Sequence, residues 1–300
     1  MGTPEFAVPA LEALHERYGL RAVVSVPDKP KGRGLKLLPS DVKSKALELG
    51  IPVFQPASLR DPEFVSQIAA LEPDIIVVIA FRILPASAYN LAKIATFNIH
   101  GSLLPKYRGA APINWAVING ERETGLTAFK LAEKVDTGSI IDTVRTDITP
   151  SKTFGDLYYE LKEMSASLAL RTCEKLLSGD FELRAQDDSL ASPAPKLFPE
   201  DCRIDWNRPN DAVRNLVHGT SPVPGARCVW NGKLLKIFRA ECSSKEFGEP
   251  GDFEIGEKGF LVRCATGSLS LLQIQPEGKK ALPAVEYLRG YRGETKGKME

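Results

Sequence analysis

Three hundred residues, 43% of them hydrophobic, suffice for one large or two ordinary domains with packed cores. A net charge of +1 gives no global field drawing the chain to nucleic acid, so any such binding rests on local patches. Five cysteines, all between Cys173 and Cys264 with no C-x-x-C pair, argue against a disulfide framework or a zinc site, and no apolar run approaches the roughly 18 residues of a bilayer span.

In chain order, the start Met1-Gly2-Thr3-Pro4-Glu5 has neither a basic nor an apolar leader region, so a cytoplasmic location is expected. Residues 4–17 carry Val8, Leu11 and Leu14 at helical spacing, and 21–26 form an apolar strand followed by a Pro/Gly/Lys loop to Pro39. Ser40 suits a helix cap over 41–49, with Gly50 as the stop. Further strands are predicted at 53–55, 75–80 and 96–99, with helices at 62–71 and 85–91 between them. After Asn119-Gly120 come strands at 125–131 and 139–148, turned by Asp136-Thr137-Gly138, and then a long amphipathic helix over 154–177. This alternation predicts an α/β fold, a Rossmann-like doubly wound and mostly parallel sheet, occupying 1–178. Polar, Pro-containing sequence at 179–200 reads as a linker. Short alternating strands around 225–230, 234–240, 259–264 and 268–274 then predict a small OB-like β-barrel domain over 201–300, with 293–300 lacking fixed structure.

The chain has no G-x-G-x-x-G after its first strand, no Walker A loop, no G-x-S-x-G elbow and no H-E-x-x-H helix. Gly32-Arg33-Gly34 is a lone G-x-G in a Lys-rich loop and weak as a nucleotide motif. The informative stretch is Phe97-Asn98-Ile99-His100-Gly101-Ser102-Leu103-Leu104-Pro105. Alternation along a strand sends Phe97 and Ile99 to a core and delivers Asn98 and His100 together to the carboxyl end, where open α/β sheets bind ligands. Of the other two histidines, His15 is read onto a surface helix and His218 into a Pro/Gly-rich turn. An amide donor, an imidazole and the Asp136 carboxylate, with no evident Ser or Cys nucleophile, suit direct acyl transfer to an amine. The amide would hold the developing oxyanion, the imidazole would supply acid-base help, and Asp136 would orient His100 or take up the proton. Taken alone, His100 also reads as a structural histidine and Asp136 as an ordinary Asx-turn.

Asn98 to Pro105 together with Asp136-Thr137-Gly138 resembles the catalytic core of the 10-formyltetrahydrofolate-dependent formyltransferase family. Five flanking motifs occur in the same order as in its methionyl-tRNA branch: Gly2-Thr3-Pro4-Glu5-Phe6-Ala7, Pro27-Asp28-Lys29-Pro30-Lys31-Gly32-Arg33-Gly34, Tyr107-Arg108-Gly109-Ala110-Ala111-Pro112, Ile204-Asp205-Trp206 and Gln275-Pro276-Glu277-Gly278-Lys279-Lys280. The resemblance implies Asn98, His100 and Asp136 as the catalytic trio. It implies a 10-formyltetrahydrofolate site at Phe81, Ile83, Leu84, Ser102, Leu103, Leu104, Pro105, Val135 and Gly138. It also implies an initiator methionyl-tRNA partner, reached by Lys29, Lys31, Arg33 and Lys36 and, in the C-terminal domain, by Lys279 and Lys280. Lys233, Lys236, Arg289 and Arg292 extend that basic set. No metal and a monomeric state are expected. A family member formylating a small amine would carry much the same trio, and a non-catalytic RNA-binding protein is the rival of another class.

The sequence departs from the family at three points. It lacks the apolar strand that usually precedes Gly2-Thr3-Pro4, so a longer natural chain is expected; an intact mass showing Met1 as the native N-terminus would overturn this. Ser139 stands where a second Asp is commoner, with little effect expected because Asp136 carries the role. Arg82 stands where Gly is frequent, which leaves the shape of the folate pocket open.

Overall fold

The computed structural model describes every residue except 32–35 and 257–258, and the backbone but not the side chains of Lys31 and Lys36. The strands are β1 (Val23–Val24), β2 (Lys29–Lys31), β3 (Lys36–Leu38), β4 (Val53–Phe54), β5 (Ile75–Ile79), β6 (Ala95–His100), β7 (Arg108–Gly109), β8 (Glu123–Lys130), β9 (Ile140–Asp147), β10 (Pro193–Ala194), β11 (Ala226–Trp230), β12 (Lys233–Ser243), β13 (Asp252–Gly256), β14 (Gly259–Arg263), β15 (Ser268–Pro276), β16 (Leu282–Pro283) and β17 (Lys296–Lys298). The α-helices are α1 (Val8–Tyr18), α2 (Asp41–Glu48), α3 (Pro62–Ala69), α4 (Ala86–Tyr89), α5 (Pro112–Ile118), α6 (Phe154–Ser178), α7 (Asn210–Gly219) and α8 (Ala284–Arg289). They fall into two compact units, the first made of Met1–Gly109, Gly125–Thr146 and Tyr158–Pro193, the second of Ala110–Thr124, Asp147–Leu157 and Ala194–Glu300.

In the first unit β1 and β4 pair in parallel, as do β5 and β6, and β8 joins β6 antiparallel. Ser40 caps α2 by accepting from the Lys43 N–H at 3.1 Å, as its position predicted. In the Lys-rich stretch after the first strand, β2 and β3 pair antiparallel. Met1 and Gly2 lie in extended contact between β1 and β5. The Gly2 N–H donates to the Val24 carbonyl at 3.1 Å, and the Ile79 N–H donates to the Met1 carbonyl at 3.0 Å. A cavity of about 420 Å³ beside Met1 is lined by Leu11, Val23, Ile75, Val77 and Leu177 among others. Burial lowers the Met1 amine to a pKa of about 5.

The second unit is a curled antiparallel half-barrel with strand order β11-β12-β15-β14-β13-β17 and β16 added beside β15. Trp230 stacks among Phe260 and Tyr291, with ring centroids at 5.0 and 5.1 Å, and Ile237, Phe253, Leu269 and Ile274 complete the interior. The tail expected to lack structure instead forms β17 on β13, buries Met299, and pairs Glu300 with Val229 through both backbone groups. Lys296–Lys298 is too short and polar to announce a strand; pairing with the open edge of β13 creates it. Four cysteines, Cys173, Cys202, Cys228 and Cys264, are buried, and Cys242 on β12 is exposed. Among the described residues no helix is long and apolar enough to cross a membrane.

His218 was expected in a turn, yet it is buried near the end of α7, because the apolar face of Val213 and Val217 docks on the sheet. Its Nε2 accepts from the Ala240 N–H at 3.2 Å, so the ring is neutral there. Burial, reinforced by Arg214 and Arg239, lowers its pKa from 6.5 to about 4. The sign follows: between these values the unfolded chain binds a proton that the folded chain refuses, so stability falls as pH drops through this window. Acid titration of the melting curve is therefore expected to show a loss of about 3 kcal/mol from this group between pH 6.5 and 4. The loss should be absent in His218→Gln.

Candidate active site

Strand β6 builds the site as its alternation predicted. Phe97 and Ile99 are buried in the core, while Asn98, facing Val78 of β5 and Phe129 of β8 in register, is half-buried. The Asn98 carboxamide has no hydrogen-bond partner among the described residues, so both its donors are free for a ligand. His100 is 6% exposed, and its Nε2 lies 2.8 Å from the Tyr107 carbonyl oxygen. A carbonyl can only accept, so Nε2 carries the proton of the neutral ring and Nδ1 presents a lone pair.

The loop that returns Tyr107 to His100 is tied from within. Ser102 Oγ donates to the Lys106 carbonyl at 2.7 Å, and Thr127 Oγ1 donates to the Ser102 carbonyl at 2.7 Å while accepting from the Leu104 N–H at 3.1 Å. Tyr107 takes a left-handed conformation, φ +62°, which aims its carbonyl back at the ring.

Asp136 is left-handed too, φ +55°, a conformation its short polar side chain tolerates. It is 9% exposed; its Oδ2 accepts from the Gly109 N–H at 2.9 Å and lies 3.7 Å from His100 Nδ1. That distance exceeds a hydrogen bond, so Tyr107 rather than Asp136 orients the neutral ring. Asp136 becomes a direct ion-pair partner when Nδ1 gains a proton. Gly138 closes the turn against β8, where a Cβ would sit 1.6 Å from the Lys130 carbonyl oxygen.

A formyl transferase family profile matches residues 1–172, and the corresponding formyl transferase C-terminal domain profile matches 196–292. The chain belongs to the formyl transferase family. It is 46% identical to the methionyl-tRNA formyltransferase of Geobacter sulfurreducens over 97% of its length and 93% of that protein. It is 44% identical to the enzyme of that name from Moorella thermoacetica, over 97% of its length and 95% of that protein. The fold is similar to that of an N-formyltransferase from Helicobacter canadensis solved with folinic acid and dTDP-3-aminofucose. That match has a TM-score of 0.66 at 20% identity, covering 92% of this chain and 97% of that one.

Within this formyltransferase fold the donor-site residues expected from the sequence divide by exposure. Ile83, 75% exposed, and Val135, 51% exposed, are apolar surfaces open to a ligand, with half-buried Phe81 beside Ile83. Ser102, Leu84 and Leu104 are interior: Ser102 ties its own loop, and the two leucines pack into the core. Leu103 and Pro105 are half-buried on the same loop. Arg82 is engaged within its own region. Its guanidinium donates to the Ala57 and Pro56 carbonyls at 3.0 and 2.9 Å and stacks on Phe81 at 5.3 Å, bracing that loop where Gly would not.

Of the expected tRNA contacts, Lys29 is exposed on β2, and Lys279 and Lys280 are exposed after β15. Lys279 Nζ rests over the Tyr287 ring at 5.2 Å, and Lys236 Nζ is engaged by the Pro224 carbonyl at 2.9 Å. Arg33 and the side chains of Lys31 and Lys36 lie outside the described residues. The sequence reading missed Gln186, the polar partner of Asp136 on the 179–193 segment, since no periodicity marks a polar side chain that serves a turn some fifty residues earlier.

Gly138→Ala is expected to push the 136–138 turn off β8, costing about 1–3 kcal/mol of stability by overpacking. The shift should also carry Asp136 away from His100. Thermal melting and formyl-transfer assays on the same preparation test this, and wild-type values in both would show that β8 yields to the methyl group.

Proposed function

We propose that this chain transfers a formyl group from 10-formyltetrahydrofolate to the α-amine of methionyl initiator tRNA, by direct attack of the neutral amine. The observation that carries the acceptor is the near full-length likeness, through both the N- and C-terminal family regions, to relatives named methionyl-tRNA formyltransferase. Support for a folate donor is chemical. A free carboxamide beside a neutral imidazole fits a formyl oxygen, and exposed Ile83 and Val135 suit the flat, partly apolar body of a pterin.

In this reading the donor supplies an electrophilic formyl carbon, and the chain's own side chains do the rest. The Asn98 amide donates to the formyl oxygen as it gains charge when the new C–N bond forms. His100 Nδ1 takes the proton that the amine sheds, and the adjacent Asp136 carboxylate stabilises the resulting imidazolium. His100 then returns that proton to the departing nitrogen of the donor as the old C–N bond breaks. No covalent enzyme intermediate is required. The exposed Lys29, Lys279 and Lys280 are assigned to tRNA phosphates, which position without reading sequence.

Asn98→Ala is expected to lower kcat by about 10²–10³-fold with a small change in tRNA affinity, because the amide acts mainly in the transition state. The deciding assay offers methionyl initiator tRNA, free methionine and an amino-sugar nucleotide to wild type and to His100→Ala. Formylation of the charged tRNA that is lost with the imidazole is the expected result. Preference for the amino sugar would reassign the acceptor, and full activity of His100→Ala would remove the proposed proton path.

A further inference from the structure

The 184–192 segment, read from sequence as part of a linker, runs as a strap along the polar side of the site. Arg184 exchanges both backbone hydrogen bonds with Ile140, at 2.8 and 2.9 Å, which docks the segment beside the start of β9. Two residues on, Gln186 Nε2 donates to the Asp136 carbonyl at 2.9 Å and to the Gly138 carbonyl at 2.8 Å. Both amide protons are thereby spent on the turn that holds the left-handed Asp136. The amide is itself fixed in orientation, because its Oε1 accepts from Arg108 Nε at 3.1 Å and Nη2 at 2.7 Å. Arg108 Nη2 also pairs with Asp188 Oδ1 at 2.7 Å. Further along, Ser192 Oγ accepts from the Tyr107 N–H at 2.9 Å, and its carbonyl accepts from the Arg108 N–H at 2.9 Å.

The strap therefore holds the two left-handed residues that flank the imidazole, Tyr107 and Asp136, each through its main chain. Left-handed non-glycine residues carry a local cost of about 1–3 kcal/mol each and persist only where surroundings over-determine them. At Asp136 the Gln186 amide supplies two of those determinants, and the Gly109 N–H fixes the carboxylate oxygen nearest His100. Arg108 lies next to Gly109 in β7, so a single Arg108–Gln186 contact ties the peptide that binds the carboxylate to the amide that binds its backbone.

We infer that Gln186 is a positioning residue for formyl transfer, holding the Asp136 carboxylate at the distance from which it stabilises a protonated His100. Arg108 serves as the guanidinium that orients the Gln186 amide. The inference rests on the proposed role of Asp136, and the test separates the two.

Gln186→Ala is expected to lower kcat by about 10- to 100-fold, the scale on which a displacement of about 1 Å in a catalytic group acts. KM for the folate donor and for the charged tRNA should stay within about twofold, since the Gln186 amide is engaged by Arg108, Asp136 and Gly138. Gln186→Glu keeps the stem and the Arg108 contact but turns the two donors into an oxygen facing two carbonyls, so it should match Ala while preserving packing, and it carries the test if Ala unfolds. Both are measured again in an Asp136→Asn background. If Gln186 acts through Asp136, no further loss appears there. Wild-type kcat in Gln186→Glu, or losses that multiply in the double variant, would overturn the inference. Full activity of Asp136→Asn alone would overturn instead the role of Asp136 on which it rests.

Discussion

The Tyr107 carbonyl accepts the single proton that a neutral His100 ring carries, and the proposed chemistry of the site depends on that one bond. It fixes the tautomer, points the basic Nδ1 at the Asp136 carboxylate, and leaves the Asn98 carboxamide as the free donor on the same strand face. In the proposed reaction, a ring in the other tautomer would present an N–H where the amine is to lose its proton. The bond exists because the 101–107 loop is cinched by Ser102 and Thr127 and ends on a left-handed residue. The Ser102 and Thr127 hydroxyls thus hold the loop in shape.

The sequence made the strand-borne part of this site plain and the loop-borne part opaque. Asn98 and His100 follow from period-two alternation in a segment whose other positions are Phe97 and Ile99. The boundaries of α2, α3, β5 and α6 fall close to those the caps, prolines and apolar runs indicate. Asp136 was legible as a turn residue, but its pairing with the Gly109 N–H was not, because that bond joins residues 27 apart through no repeating pattern. Gln186 was hidden more thoroughly. A polar, Pro-containing stretch looks the same whether it floats as a linker or lies pinned, and the pairing of Arg184 with Ile140 and the bonds of Gln186 and Ser192 distinguish them.

Tertiary pairing also decided the places where the C-terminal half departs from its pattern. Lys296–Lys298 becomes a strand because β13 offers an unpaired edge, and His218 is buried because α7 must cover the sheet with Val213 and Val217. In the N-terminal half the same logic works in reverse. Arg82 stands where Gly is frequent, and its guanidinium bonds the Pro56 and Ala57 carbonyls while stacking on Phe81.

The cysteines give the molecule a practical property. Burial pushes the Cys173, Cys228 and Cys264 thiols up to about 12 and raises Cys202 as well, so these four hold their protons and meet little solvent. Cys242 sits exposed on β12 beside the Arg214 guanidinium, which counters part of the rise that its own partial burial imposes. A maleimide dye applied to the native protein therefore has one open address on the half-barrel, which makes the unaltered chain ready for single-site fluorescence labelling.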